Sequence, residues 1–175
     1  MCTFPTKESL TVEFKSDKKC LSDNDIIDVV VAFANTEGGD LDLGIEDDGT
    51  ITGLHPNHRD ITRLTAFIAN KTVPLVNTRA IILHDGEYDV LKLSVPRYTS
   101  IVASAYGKIQ RRRLKADHTP ENVPLYLYEI PQRLSNLSVL DFSAQPVPDS
   151  TRDDFSVTER ERLRHIIRTY HGESS

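Results

Sequence analysis

Tryptophan is absent from the 175 residues, and only two cysteines, Cys2 and Cys20, are present. The two thiols form no C-x-x-C pair and no zinc-binding set. No apolar run approaches the length that crosses a bilayer, and the N-terminus lacks the apolar stretch of a signal peptide. We therefore expect a cytoplasmic protein with free thiols and no membrane partner.

Composition is that of an ordinary globular chain, long enough for one domain with a core and a tail. The net charge is −5, but its distribution is uneven. The first 60 residues are strongly acidic, whereas residues 97–116 contain no acid and six bases: Arg97, Lys108, Arg111, Arg112, Arg113 and Lys115. A local basic segment can bind phosphates even on an acidic protein.

Hydrophobic periodicity predicts a series of strands and helices over residues 1–136, which we expect to form one domain. Residues 9–15 alternate as a half-buried strand, and a helix is predicted from Ser22, the N-cap, to the glycines at 38–39. Residues 121–135 are compatible with a short helix or a loop. The other predicted elements are a strand at 41–45 that turns and returns at 50–52, a helix at 58–72, a hairpin of 79–84 and 88–95, and strands at 100–104 and 108–114.

The C-terminal part has a different character. Residues 137–155 are polar and contain prolines, which is typical of a linker. Residues 156–175 predict an amphipathic helix that starts at Ser156 and stops at Gly172. We expect this helix to begin a further region of a longer protein.

Carboxylates are placed where strands could bring them together. Glu8 opens the first strand, Glu13 lies on the polar face of that strand next to Lys15, and Asp47 follows the second strand between two further acids. Convergent carboxylates bind Mg²⁺ or Mn²⁺, which can activate water at a phosphodiester, and a lysine offsets charge on the phosphate. The alternative is a set of solvated strand faces with an aspartate-rich turn.

A basic strip follows at residues 106–115. As a strand, Lys108, Gln110 and Arg112 share one face, and Arg111 and Arg113 the other. Arginine forks bind phosphate oxygens, and an exposed tyrosine can stack on an unpaired base. The alternative is a charged edge strand that resists aggregation. The candidate nucleic-acid contacts are Tyr106, Lys108, Arg111, Arg112, Arg113 and Lys115.

Two other patterns carry no chemistry of their own. The glycines at 38–39 belong to no Walker loop, so the segment indicates no ATP site. His55 and His58 are separated by a proline, and we expect both to be surface loop residues.

Three segments together resemble one known family: E-S-L-T-V-E-F-K at 8–15, A-F-A-N-T-E-G-G at 32–39 and G-I-E-D-D-G-x-I-x-G-L at 44–54. The combination is similar to the Schlafen AlbA-type DNA-binding domain, strongly over residues 8–54 and more loosely to about residue 135. The resemblance implies an α+β fold with a mixed or antiparallel sheet and helices packed against it. It also implies a nucleic-acid-binding module of a transcriptional regulator or a divergent ATPase, in which ATP binding would belong to the parent protein.

In animal Schlafen proteins the same motif is associated with metal-dependent RNA cleavage by three carboxylates. The matching positions here are Glu8, Glu13 and Asp47, or Glu46 or Asp48 if the alignment shifts, and Lys15 matches the lysine of the motif. The animal core pairs two copies of the domain, whereas this chain has one, so a homodimer could rebuild the cleft.

Three hypotheses follow from these patterns. The first is a nucleic-acid-binding module without a cofactor, acting on DNA or RNA. The second is an endoribonuclease with Mg²⁺ or Mn²⁺ at Glu8, Glu13 and Asp47. The third is an oligomerisation or interaction domain.

Overall fold

The computed structural model describes residues 4–137, 148–149 and 151–170. The chain forms two compact units, Met1–Leu140 and Asp141–Ser175. The strands described in the first unit are β1 (Val12–Lys15), β2 (Gly39–Leu43), β3 (Thr72–Val73), β4 (Arg79–Asp85), β5 (Tyr88–Val95), β6 (Ala103–Ser104), β7 (Gln110–Leu114) and β8 (Pro120–Pro124). Its helices are α1 (Asp23–Ala34), α2 (Ile61–Asn70) and α3 (Ile130–Asn136).

The main sheet has the strand order β1-β2-β5-β4. Strand β1 pairs with β2 in parallel, whereas β2 with β5 and β5 with β4 are antiparallel. Two small antiparallel sheets, β3 with β6 and β7 with β8, complete the unit. The predicted α+β class with a mixed sheet is therefore confirmed.

Side-chain alternation divides the main sheet into two faces. Leu41 and Leu43 share a face with Leu91 and Leu93, and this face packs against apolar residues of α1 and α2 in the main core. A smaller cluster around Phe14 packs on the opposite face. Because β1 is in register with β2, Glu13 lies beside Leu41 and is drawn toward the buried side.

Helix α1 has the predicted ends. The Ser22 hydroxyl accepts a hydrogen bond from the Asp25 backbone N–H at 3.1 Å, as an N-cap should. At the other end Gly38 has φ of +74°, and an added Cβ there would lie 2.7 Å from the Val95 carbonyl oxygen. Both the left-handed backbone and the close approach of β5 therefore require glycine.

Three elements differ from their sequence predictions. The predicted helix at 58–72 begins only at Ile61, because Pro56–His58 form a 3-10 turn before it. The return strand at 50–52 is a single bridge between Ile45 and Ile51. Residues 121–135 contain strand β8, a 3-10 turn and α3, and the prolines at 120 and 124 stand at the ends of β8.

The second unit contains helix α4 (Val157–Tyr170). The Ser156 hydroxyl accepts from the Glu159 N–H, and the Glu159 carboxylate accepts from the Ser156 N–H, so the predicted capping box is present. The predicted stop at Gly172 and most of the predicted linker at 137–155 lie outside the described residues. Among the helices that the structure describes, none is long and apolar enough to span a membrane.

Candidate nucleic-acid interface and carboxylate corner

The carboxylate corner consists of Glu8, Glu13, Lys15 and Asp47. Glu8 lies in the turn before β1, where its Oε1 accepts a hydrogen bond from the Phe14 N–H at 2.9 Å. Burial is the main cause that raises the pKa of Glu8, and the neighbouring Glu13 and Asp47 charges raise it further. The structure therefore brings the three candidate carboxylates close enough to interact electrostatically.

Glu13 is held by two cations at this corner. Its Oε1 lies 2.6 Å from the Lys15 Nζ, and its Oε2 forms an ion pair with the Arg112 Nη2. The Glu13 side chain is almost completely buried, whereas Asp47 is exposed. Both oxygens of the central carboxylate are therefore already paired within the chain.

The two neighbours of Asp47 have local structural partners. Glu46 accepts hydrogen bonds from the Ser16 and Thr52 hydroxyls at 2.9 and 2.6 Å. The Asp48 carboxylate accepts a hydrogen bond from the Thr50 backbone N–H at 2.9 Å, which stabilises the turn. Asp47 is the acid of this trio whose charge contributes to the raised pKa of Glu8.

A metal centre needs oxygen ligands that are free to converge on one ion. Within residues 4–137, 148–149 and 151–170, no group of three or more His, Cys, Asp or Glu side chains is arranged to hold a metal. A cation at the corner would also have to displace Lys15 or Arg112 from Glu13. The corner as arranged does not fit a three-carboxylate metal centre, and the assignment of Mg²⁺ or Mn²⁺ to Glu8, Glu13 and Asp47 stays a prediction.

The basic strip lies on β7 and the turn before it. Gln110 and Arg112 are buried, whereas Arg111 and Arg113 lie on the outward side, as the predicted alternation requires. The inward side of β7 packs against α1. Just beyond the end of α1, the Thr36 hydroxyl accepts a hydrogen bond from the Arg112 backbone N–H at 2.8 Å.

Arg112 was predicted to contact phosphate, and its burial contradicts that prediction. Its guanidinium donates to the carbonyl oxygens of Ser9 and Val12 and to the Asn122 side chain, all at 3.0 Å from an Nη atom. The same group lies 4.9 Å from the centre of the Phe33 ring, and its side chain has no exposed surface. Arg112 ties β7 to β1 and is closed off from any phosphate in solution.

Three other cations of the strip, Lys108, Arg111 and Arg113, each pair with one acid at or near the surface. The ion pairs are Lys108 with Asp28, Arg111 with Glu129 at 2.5 Å and Arg113 with Glu121 at 2.7 Å. Surface pairs of this kind contribute about 0–1 kcal/mol, so a phosphate can exchange with the acid at low cost. Tyr106 and Lys115 are exposed, and the Lys71 ammonium lies 5.4 Å from the centre of the Tyr106 ring.

Asn35 is a buried residue whose role the sequence did not indicate. Its Nδ2 donates to the carbonyl oxygens of Val102 and Gln110 at 2.7 and 2.8 Å, and its Oδ1 accepts from the Val102 N–H at 2.8 Å. These bonds fasten the end of α1 to the chain that leads into β7. An asparagine after an apolar helix reads only as a helix stop, so no local pattern reveals these distant partners.

His58 was expected in a surface loop, and this expectation is wrong. Its Nδ1 lies 2.9 Å from both carboxylate oxygens of Asp17, and both side chains are buried. Burial raises the pKa of Asp17, but hydrogen bonds from His58, Leu21 and His55 outweigh it and hold that pKa below its usual value. The pair joins the chain before α1 to the chain before α2.

Asp42 is a second buried acid that the sequence did not single out. It has no exposed surface, and neither carboxylate oxygen has a hydrogen-bond partner among the described residues. Burial raises its pKa to about 6, although the positive charge of Lys92 opposes the shift. Lys92 itself pairs with Asp40 at 2.8 Å and does not neutralise Asp42 directly.

Comparison with one solved structure agrees with this architecture. The chain is similar to the DIP2311 protein from Corynebacterium diphtheriae, with a TM-score of 0.58 and 21% identity over 89% of this chain and 33% of that one. It is also similar to the N-terminal domain of a RecG-related protein from Nitrosomonas europaea, with a TM-score of 0.37 and 24% identity over 51% of this chain and 65% of that one. The chain thus spans about a third of the first protein and less than two thirds of the second.

A family model, described as Schlafen, AlbA_2, matches residues 8–121. The match includes β1, the carboxylate corner, α1 and all of β7. The predicted resemblance is confirmed, and the chain belongs to the Schlafen AlbA_2 family.

Proposed function

We propose that this domain binds nucleic acid through the outward cations of the basic strip, as a module of a transcriptional regulator or of a divergent ATPase. The observation that carries the proposal is the row of Arg111 and Arg113 on the outer side of β7, continued by Lys108 and Lys115. Membership in the Schlafen AlbA_2 family supports the same function.

The strip suits phosphate recognition because its two outward arginines are held in position on one strand face and Arg113 is held there by a surface ion pair. Arg113 is 52% exposed and has one surface ion pair, with Glu121. Each arginine presents a planar fork that can bind two phosphate oxygens. Two residues of one strand face are about 6.6–6.8 Å apart, which is close to the spacing of successive phosphates along an extended strand.

A charge-removal experiment tests the proposal. In the double variant Arg111→Gln/Arg113→Gln, binding of labelled DNA or RNA to the full chain should weaken. The slope of log K against log salt should fall by about one for each lost phosphate contact. Fluorescence anisotropy over a range of salt concentrations measures both quantities.

Arg59 provides a matched control. It is 56% exposed and has one surface ion pair, with Asp89 at 2.8 Å, but it lies outside the strip. Arg59→Gln should leave affinity and salt slope close to those of the unmodified chain. Equal losses in the control and the double variant would mean that the strip is not the contact surface. A chain that binds no nucleic acid but forms a stable dimer by light scattering would instead favour the oligomerisation hypothesis.

The endoribonuclease is the second candidate because the charges of Glu13 and Asp47 both act on Glu8, and it requires that a metal displace Lys15 or Arg112 from Glu13. Incubation of the purified chain with structured RNA and Mn²⁺ tests it directly. Cleavage that is lost in both Glu13→Gln and Asp47→Asn would support the candidate. Absence of cleavage, or cleavage that persists in both variants, would remove it.

A further inference from the structure

An exposed aromatic pair follows strand β8. Tyr126 and Tyr128 are 51% and 79% exposed, and Leu127 between them is 84% exposed. The two tyrosine rings are parallel within 5°, with centroids 5.8 Å apart. Large side chains held this far out of the core add little to folding, and clustered apolar groups at a surface mark contact sites.

The pair has a fixed position relative to the basic strip. The buried Leu125 donates its N–H to the Ile109 carbonyl at 3.0 Å, which anchors the segment next to β7. The Glu129 carboxylate accepts from the Tyr126 N–H at 2.9 Å and from the Arg111 guanidinium at 2.5 Å. One side chain therefore holds both the aromatic segment and an outward arginine of the strip.

This connection holds the backbone of the aromatic segment beside the strip. The hydrogen bond from Arg111, followed by that from the Tyr126 N–H, lowers the pKa of Glu129, so the carboxylate stays ionised at neutral pH. The Glu129 N–H donates a hydrogen bond to the Tyr126 carbonyl oxygen at 2.9 Å, which closes the 3-10 turn that carries the rings. A segment whose backbone is already held in place loses less conformational freedom on binding, which favours affinity.

We propose that Tyr126 and Tyr128 form a stacking platform for unpaired bases, so that the ligand is a single-stranded nucleic acid. The inference rests on the proposed function, since Arg111 and Arg113 would contact the phosphates of the same strand. Every base offers a π-face to a tyrosine ring, whereas a duplex buries these faces in its own stack. The adjacent arginines favour a nucleic acid over an apolar protein segment as the occupant.

The platform can be tested with single-ring deletions in the full chain. Tyr126→Ala and Tyr128→Ala should each weaken single-strand binding by about 5- to 150-fold, equivalent to about 1–3 kcal/mol. The salt slope should stay unchanged because no charge is removed. Tyr128→Phe keeps the ring and should retain binding. Separate anisotropy titrations with single-stranded DNA and single-stranded RNA oligonucleotides show which sugar is preferred. Binding of a DNA duplex should not change in the tyrosine variants.

Leu127→Ala is the matched control, because Leu127 is apolar and even more exposed but has no ring. It should change single-strand affinity less than twofold. If Leu127→Ala weakens binding as much as Tyr128→Ala, the segment is an apolar patch and the platform is refuted. Unchanged single-strand binding in both tyrosine variants refutes it as well. If Arg111→Gln/Arg113→Gln weakens binding while the tyrosine variants do not, the platform is refuted and the proposed function stands. If nucleic-acid binding is unchanged by the arginine substitutions, the proposed function itself is overturned.

Discussion

The three consecutive arginines of β7 are expected to have two different roles, and replacing Arg112 and Arg113 one at a time separates these roles. Arg112→Met keeps most of the aliphatic chain but removes the guanidinium group. The same change at Arg113 removes a guanidinium that is half exposed. We expect the first variant to lose stability and the second to lose nucleic-acid affinity.

The magnitude follows from the partners of each side chain. The Arg112 side chain has no exposed surface and serves two backbone carbonyls, the Asn122 side chain and the Glu13 carboxylate. Removal of one partner from a buried ion pair costs about 3–5 kcal/mol. Lys15 remains 2.6 Å from Glu13, so we expect the lower end, about 3 kcal/mol. The Arg113 pair is exposed, and its loss should cost about 0–1 kcal/mol.

Urea unfolding of the full chain, followed by circular dichroism, measures both effects. The midpoint should fall for Arg112→Met at an unchanged m-value and should stay nearly constant for Arg113→Met. Typical domains are stable by about 5–15 kcal/mol, so the variant should still fold. If it does not, Arg112→Lys keeps the charge without the fork and should show an intermediate loss. Losses below about 1 kcal/mol for both Arg112 variants would refute the structural role of this residue.

Three further predictions concern buried or constrained positions. The folded pKa of Asp42, about 6 against an ordinary 3.8, means that the folded state holds this proton more tightly than the unfolded state. Stability should therefore fall by about 2–3 kcal/mol as the pH rises from about 4 to about 6, and Asp42→Asn should abolish that fall in urea titrations at a series of pH values. Asn35→Ala leaves the buried N–H and C=O groups of Val102 without partners and should cost about 2–4 kcal/mol in the same assay, with a loss below 1 kcal/mol contradicting its role. Gly38→Ala forces a left-handed backbone and a Cβ 2.7 Å from a carbonyl, so its thermal midpoint should drop by several degrees, and an unchanged midpoint would contradict the close packing.

Local patterns predicted the elements whose causes are local. The Ser22 cap, the glycine end of α1 and the hairpin of β4 and β5 each depend on a few adjacent residues, and each is present. Strand β8 was not predicted because its prolines are unfavourable within a strand. They are tolerated because β8 pairs only with β7 and they stand at its ends.

The candidate site likewise has features that local sequence predicts and features that depend on distant segments. Alternation along β7 correctly placed Arg111 and Arg113 on one side and Arg112 on the other. Which side of β7 faces the protein depends on α1 and β1, which are distant from β7 in sequence. Because the Arg112 side faces them, Arg112 is a structural residue. Similarly, the carboxylates at Glu8, Glu13 and Asp47 could be named from motifs, but one of the two cations that pair with Glu13 is Arg112, which comes from β7, distant in sequence.

Short motifs and side-chain periodicity are encoded by neighbouring residues, so the family, the α+β class and the basic strip could be predicted without coordinates. Which charges are available to a partner depends on the folded arrangement. The fold buries Arg112, brings it to Glu13, leaves Asp42 without a partner among the described residues and links the Tyr126 backbone to Arg111 through Glu129. The physical reason is that burial and ion pairing depend on contacts between segments up to about a hundred residues apart, which no local pattern specifies.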